Sequence, residues 1–330
     1  MKIVKKAGLT LLFPVLMFLV MLLITLNNPN CFVNGDFIFL GKDLLVQVAV
    51  NSCQTICVAL AIWIQLRNGR FDFSGGATMV LTAIVAGSIG KQTGSPIIAF
   101  VAAIAAALVL CLITAGVYTI SRVPIIICTI GMTLLYESMT YLVFNGEGVR
   151  GFFSNAKLAV FGRVPGVFIP ALLAIAVFFI YSNLTTAGRK GKILANNQHA
   201  GVNIGISEQK NVYASYLATG LILGLAAIIY ISQNDVTPQS GLATSGILFS
   251  YIVPVFMGTF IGLASNDVIG IAIAAIGMEI MNYGLNCLNL GSGGWQQIIF
   301  GMFVLGFYAF STQSFKIANY TQRLKSKKKA

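Results

Sequence analysis

TTAGRKGKILANNQHAGVNIGISEQKN, residues Thr185–Asn211, is a long water-compatible stretch set between two apolar runs, and its position decides how the whole chain is read. Charge is scarce elsewhere: of 330 residues, 57% are apolar and 9% charged, and the mean hydropathy is +0.86. A soluble chain of this length could bury a large core, yet it would still need a charged coat. This chain lacks one, so the lipid bilayer is its solvent. The polar stretch is then where something outside the bilayer takes hold.

Crossing about 30 Å of hydrocarbon at about 1.5 Å per residue takes roughly 20 apolar residues in a helix. Windows of that kind cover Ala7–Leu26, Leu44–Leu66, Pro96–Ile120, Pro124–Phe144, Val167–Asn183, Val212–Ile231, Ile247–Ala264, Val268–Leu288 and Trp295–Phe310. Ser74–Ile89 is shorter and rich in Gly and Ala. Basic residues accumulate on the cytoplasmic side of membrane proteins, and this bias decides whether the short segment crosses. Ten crossings from a cytoplasmic N-terminus put 16 of the 21 basic residues inside and 5 outside; without the short crossing the split is 9 against 12. The expectation is an all-α polytopic membrane protein of about ten transmembrane helices with both termini cytoplasmic. Residues 1–330 form one transmembrane domain, with a cytoplasmic loop at about 185–211 and a basic cytoplasmic tail at 316–330. The first apolar run is a retained helix, being too long for a signal-peptide core and followed by no cleavage-site pattern before Asn27. The net charge of +12 reflects the cytoplasmic bias and a tail suited to an anionic leaflet, not nucleic-acid binding.

The chain carries no phosphate-binding GxxxxGK[ST] loop, no HExxH and no GxSxG. Its one histidine, His199, lies in the polar stretch. The six cysteines show no CxxC pair, and five lie in apolar runs where Cys acts as a small hydrophobe. Glu137 and Glu279 are the acids inside apolar spans, too few for a catalytic constellation. No catalytic residue, metal site or cofactor is expected in this chain. A transporter subunit energised elsewhere fits better than an enzyme.

Four segments carry a resemblance. Gly188–Ile229 matches the coupling segment and following helix of ribose-type ABC importer permeases at Gly188, Arg189, Leu194, Asn197, Ala200, Gly205, Ile206, Lys210, Tyr216, Gly220, Leu221, Leu225 and Ala226. NGRFDFSGG at Asn68–Gly76 is similar to that family's Gly-Ile-Asp-Leu-Ser-x-Gly signature through Asp72, Ser74 and Gly76. VPIIICTIGM at Val123–Met132 resembles its Val-Pro-x-x-Ile-x-Thr-x-Gly run through Pro124, Thr129 and Gly131. Asn282–Gly301 resembles its closing Asn-x-Gly-Leu-Asn-x-Leu and aromatic-Gln-x-Ile run. Asp72 or Ser74 can cap a helix start, a role we favour for Asp72 over substrate contact. Two departures stand out. The family's acidic Glu-Leu-Asp stretch is replaced by GILFSYIVP, and its Gly-Gly-x-Ser-x-x-Gly-Gly turn is reduced to MGTFIGLASND, so two close backbone approaches must be lost or rebuilt.

The resemblance implies an ATP-binding cassette subunit docked on Gly188, Arg189, Asn197, Ala200, Gly205 and Ile206, with ATP and Mg held by that partner. It also implies a second permease, identical or paired, and an extracytoplasmic solute-binding protein meeting the outer loops Asn145–Pro165 and Asn234–Ser245. The expected location is the bacterial cytoplasmic (inner) membrane, and the expected solute a monosaccharide such as ribose, galactose or xylose. Polar residues inside spans face the bundle interior or a water path. The candidate substrate pathway is therefore Asn51, Gln54, Glu279, Asn282, Asn286, Trp295 and Gln296, with Trp295 or Tyr283 to meet a sugar ring. Interhelical hydrogen bonding, worth about 0.6–2 kcal/mol in membranes, explains such amides as well. The small-residue runs Ala102–Ala107 and Gly220-x-x-x-Gly224 read as helix-packing faces. Alternatives are a nucleoside or autoinducer-2-like permease of the same superfamily, and, from other classes, an ion-coupled secondary carrier or an intramembrane enzyme.

Overall fold

The computed structural model describes residues 2–33, 36–41, 43–262 and 265–291, together with 294–295, 298–299, 301–302 and 305–306. Eleven helices follow one another among these residues: α1 (Lys2–Leu26), α2 (Asp43–Arg67), α3 (Ser74–Thr93), α4 (Pro96–Ser121), α5 (Ile125–Leu142), α6 (Phe168–Phe179), α7 (Thr186–Asn196), α8 (Gln198–Asn203), α9 (Glu208–Ile231), α10 (Ala243–Gly262) and α11 (Asp267–Cys287). A two-residue ladder, β1 (Phe32–Val33) on β2 (Asp36–Phe37), is antiparallel. The all-α expectation holds.

The expected count of about ten spans is not reached. Among the described residues, six helices are long and apolar enough to cross a membrane: α2, α4, α5 with its extension to Gly146, α9, α10 and α11. A seventh counts if Phe168–Leu184 and Thr186–Asn196, bent by 71°, form one span. Helix α1 runs from Lys2 to Leu26, and Thr10–Leu26 is its apolar stretch among the described side chains. The short third segment is one unbroken 20-residue helix, but it is diluted by Gly, Ser and Thr because neighbours, not lipid, cover it. Most of the window Trp295–Phe310 lies outside the described residues.

Helix α9 is the axis of the fold, buried on nearly every side and packed against α2, α3, α4 and α6. Its closest neighbour is α4, because Gly220 and Gly224 bring the two backbones together: a Cβ on Gly224 would stand 2.8 Å from Ile104 Cα and 2.9 Å from the Ala103 carbonyl oxygen. Ala103 and Ala107 complete that face, so the small-residue runs are packing faces as expected. The opposite face of α4 exposes Ile97, Val101, Val109, Ile113 and Ile120. Small residues inward and large apolar ones outward is the arrangement of a helix in lipid. A second cluster joins α1, α10, α11 and the start of α2. Between α10 and α11 the reduced glycine turn is rebuilt: Gly258 and Gly262 face Gly270, with Gly258's missing Cβ 2.5 Å from Ile271 Cα.

Candidate functional site

The polar segment is shaped by Thr185. Helix α6 ends in one π turn, Ile180–Leu184, and Thr185 is extended. Its hydroxyl donates to the Tyr181 carbonyl at 2.6 Å and accepts from the Gly188 N–H at 3.1 Å. One side chain thus closes the helix behind it and caps the helix ahead, which accounts for the sharp bend. Asn197 does the same for α8, its Oδ1 accepting from the Ala200 N–H at 3.0 Å. Gly188, Gly191 and Leu194 turn inward; a Cβ on Gly188 would meet the Tyr181 carbonyl. Arg189 donates to the Asn183 carbonyl at 3.3 Å, Ile206 is buried and Gly205 takes a positive φ of 85°. Facing outward are Ala200 and, largely exposed, Ile193, Val202 and Ile204. Three apolar side chains thus stand exposed on an otherwise water-compatible segment.

The motif residues brace the start of α3. Asp72 Oδ1 accepts from both the N–H and the hydroxyl of Ser74, at 2.8 and 2.7 Å, the capping role favoured from sequence. Thr129 Oγ1 accepts from the Phe73 N–H at 3.2 Å. Gly76 lets α3 ride directly on the Thr244 carbonyl of α10. Pro124 immediately precedes α5, and Gly131 on α5 faces open space.

Between α2, α9, α10 and α11 lies a cavity of about 250 Å³ lined by Asn51, Gln54, Thr55, Tyr230, Gln233, Asn234, Ser250, Tyr251, Glu279 and Asn282. Of the pathway candidates, Asn51, Gln54, Glu279 and Asn282 come together here. Asn286 and Trp295 are exposed and not among the lining residues, and Gln296 falls outside the described residues. Tyr283 is no solute partner either: it packs on Phe39, ring centroids 5.9 Å apart, and donates to the Ile38 carbonyl at 3.2 Å. Tyr230 and Tyr251 supply the aromatic surface instead. With Gln233, Asn234 and Ser250 they are the lining residues missed from sequence. The available signal was depth: the last turn of α9 and the first third of α2 stand at the same end of the bundle.

Glu279 Oε1 accepts from Thr55 at 2.6 Å and Oε2 from the Asn282 amide at 3.2 Å. Two buried amide atoms on the cavity wall, Gln54 Oε1 and Gln233 Nε2, have no partner. They are two of nine buried side-chain polar atoms without a partner among the described residues, where most such atoms are satisfied. The loops around Val149 and Val236 pair, those two residues exchanging backbone bonds of 2.7 and 2.9 Å, and Asp235 accepts from the Gly151 N–H at 2.7 Å. Glu137 is elsewhere and fully engaged. Its carboxylate accepts from the N–H groups of Leu242 and Thr244, both at 2.8 Å, and from the Thr244 hydroxyl at 2.6 Å, capping α10.

Comparison with known proteins agrees with this architecture. Residues 44–308 match the family model described as branched-chain amino acid transport system / permease component. The chain is similar to the ribose import permease protein RbsC of Escherichia coli, 29% identical over 288 residues, covering 84% of this chain and 86% of that protein. The Bacillus subtilis protein of that name is 25% identical over 296 residues, 88% of each chain. The autoinducer 2 import system permease protein LsrD of Escherichia coli is 27% identical over 274 residues, 78% of this chain and 76% of that protein. A match over most of the length, on a bundle of lipid-facing helices around a polar cavity, settles the family: the chain belongs to the permease components of branched-chain amino acid transport systems.

Proposed function

We propose that this chain is the membrane-spanning permease subunit of an ATP-driven ABC importer for a monosaccharide, working in a bacterial inner membrane. The carrying observation is the cavity with its unpartnered Gln54 and Gln233 amide atoms. Sugar hydroxyls both donate and accept, and an amide carbonyl beside an amide NH₂ serves both. Tyr230 and Tyr251 offer rings for an apolar sugar face. At about 250 Å³ the space is below the roughly 300–1,000 Å³ of drug-sized sites and suits a small solute. The family description names branched-chain amino acids, whose aliphatic side chains would call for an apolar lining; amides, hydroxyls and one carboxylate favour a polyol. The ribose import relatives support the same solute class. The autoinducer 2 relative supports a furanosyl-like signalling molecule as the second reading.

In this account α1 and α3 add two crossings to the six long helices and the bent one, giving nine among the described residues with the N-terminus cytoplasmic; the expected tenth window, Trp295–Phe310, lies largely outside them. Residues 185–211 face the ATP-binding cassette subunit, which holds ATP and Mg and performs the hydrolysis. The docking face is Gly188, Arg189, Asn197, Ala200, Gly205 and Ile206, with Ile193, Val202 and Ile204 as apolar contacts. A second permease completes the path, and an extracytoplasmic binding protein delivers solute to the paired outer loops. Coupling requires the solute to interact differently with outward-open and inward-open states. An ion-coupled carrier would need titratable groups free to bind and release; only Glu137 and Glu279 could serve, and Glu137 is committed to its cap.

The test is uptake by the chain reconstituted with and without its ATPase, under ATP or an ion gradient, using radiolabelled pentoses and hexoses. Nucleotide-dependent sugar uptake is expected. Uptake driven by an ion gradient alone would overturn the proposal.

A further inference from the structure

At the opposite end of α2 and α9 from the cavity lies a second buried polar cluster, built on Arg70. Its side chain is 5% exposed. Nη2 donates to Asn211 Oδ1 at 3.0 Å and to Ser215 Oγ at 2.7 Å, both on α9. Nε donates to Gln65 Oε1 at 3.3 Å, on α2, and Gln65 returns to α9 by donating to Thr219 at 2.9 Å. The cluster also grips the polar segment. Asn211 Nδ2 donates to the Ala187 carbonyl in the first turn of α7 at 2.9 Å. Asn68 donates to the Tyr181 hydroxyl in the π turn at 3.0 Å, and Gly191 of α7 lies against the Asn68 amide with no room for a Cβ.

A buried guanidinium is a costly way to join neutral acceptors, because its desolvation must be offset by every bond it makes. What the guanidinium adds is a rigid planar fork that holds two elements in one fixed relation. From Gln65 to Thr55 on α2, and from Thr219 to Tyr230 on α9, unbroken helix runs about 15–16 Å from the cluster to the cavity lining.

We propose that Arg70 is a positioning residue that transmits movement of α7 to the solute cavity by clamping α2 and α9 into one rigid unit. This rests on the permease reading. A push on α7 is received by Asn211 and Tyr181. With the fork in place, α2 and α9 respond together, and their far ends shift against α10 and α11, which carry the other wall. Without the fork the push is absorbed at α7. Energetic coupling of this kind needs a discrete element that both sites bias, and the clamped helix pair is that element.

The experiment uses the full chain assembled with its ATPase in lipid, and needs no knowledge of the solute. Spin labels on Asn234→Cys (just beyond α9) and Ser250→Cys (α10) report the width of the cavity by electron–electron distance measurement, with and without ATP and vanadate. The unaltered clamp should give a nucleotide-dependent shift. Arg70→Gln should shrink that shift about fourfold or more while ATPase binding and basal ATP hydrolysis stay within about twofold, and Arg70→Lys should restore part of it. Ser215→Ala, which takes one acceptor from the fork and one bond from the Val212 carbonyl, keeps the test alive where Arg70→Gln does not fold, and should shrink the shift about twofold. A full shift in Ser215→Ala and Arg70→Lys, with Arg70→Gln also full or unfolded, overturns the clamp alone. No shift in the protein with Arg70 intact overturns the permease reading beneath it.

Discussion

Two buried carboxylates divide the molecule into a finished region and an open one. Around Glu137 every donor has been matched: two backbone N–H groups and one hydroxyl of α10 converge on its oxygens. Around Glu279 the matching stops early. One hydroxyl and one amide reach it, and Gln54 and Gln233 nearby keep atoms without partners. The first arrangement is what a helix needs at its N-terminus. The second leaves hydrogen-bonding capacity for something that comes and goes. On the sequence Glu279 already stood among the pathway candidates and Glu137 did not; in the fold Glu137 is matched by the start of α10, and Glu279 borders the cavity where we propose the solute binds.

This contrast predicts that damage to the two regions reads out in different currencies. Glu137→Leu orphans three buried donors and should cost about 4 kcal/mol of stability, measured by thermal or denaturant unfolding in detergent. A loss under about 1 kcal/mol would erase the distinction. Glu279→Gln keeps the shape but gives up the charged acceptor. We expect sugar affinity to fall about thirtyfold, near 2 kcal/mol, with stability changed by less than about 1 kcal/mol; equilibrium binding and unfolding on the same sample check both halves. Gln54→Leu removes an unpartnered carbonyl and an amide that reaches the Met79 sulfur and Tyr251, so affinity should fall about tenfold while stability changes by less than about 1 kcal/mol. Thr55→Val takes one hydroxyl from Glu279 and is the gentlest probe, worth about 1 kcal/mol and about fivefold in affinity. Stability losses from the cavity substitutions that match that of Glu137→Leu would show that both acids are structural.

Much of the fold was legible because lipid imposes a simple code. The apolar windows fall on helices, and the glycine pair of α9 fits against alanines of α4 as its spacing suggested. The Asp72 cap was legible because capping is local chemistry. What failed to show was tertiary. Tyr283 looked like a sugar-stacking ring until Phe39 and the Ile38 carbonyl claimed it. Tyr230 and Gln233 looked like the end of a helix and the start of a loop until α10 and α11 closed over them. The span count drifted because α3 is apolar enough only for an interior position, where Gly and Ser are covered by α4, α5 and α9. Arg70 read as one more basic residue near the membrane edge, because nothing local reveals that Asn211 and Ser215, far along the chain, accept its hydrogen bonds.

Everything here depends on residues 185–211 lying on the ATP-bearing side of the membrane, and a single exposed position tests it. Ala200 is exposed on the projecting segment, so Ala200→Cys gives a reactive thiol there. A membrane-impermeant maleimide should label it in inside-out vesicles and leave it untouched in intact cells. Labelling from outside intact cells would place the segment on the wrong face and contradict the account.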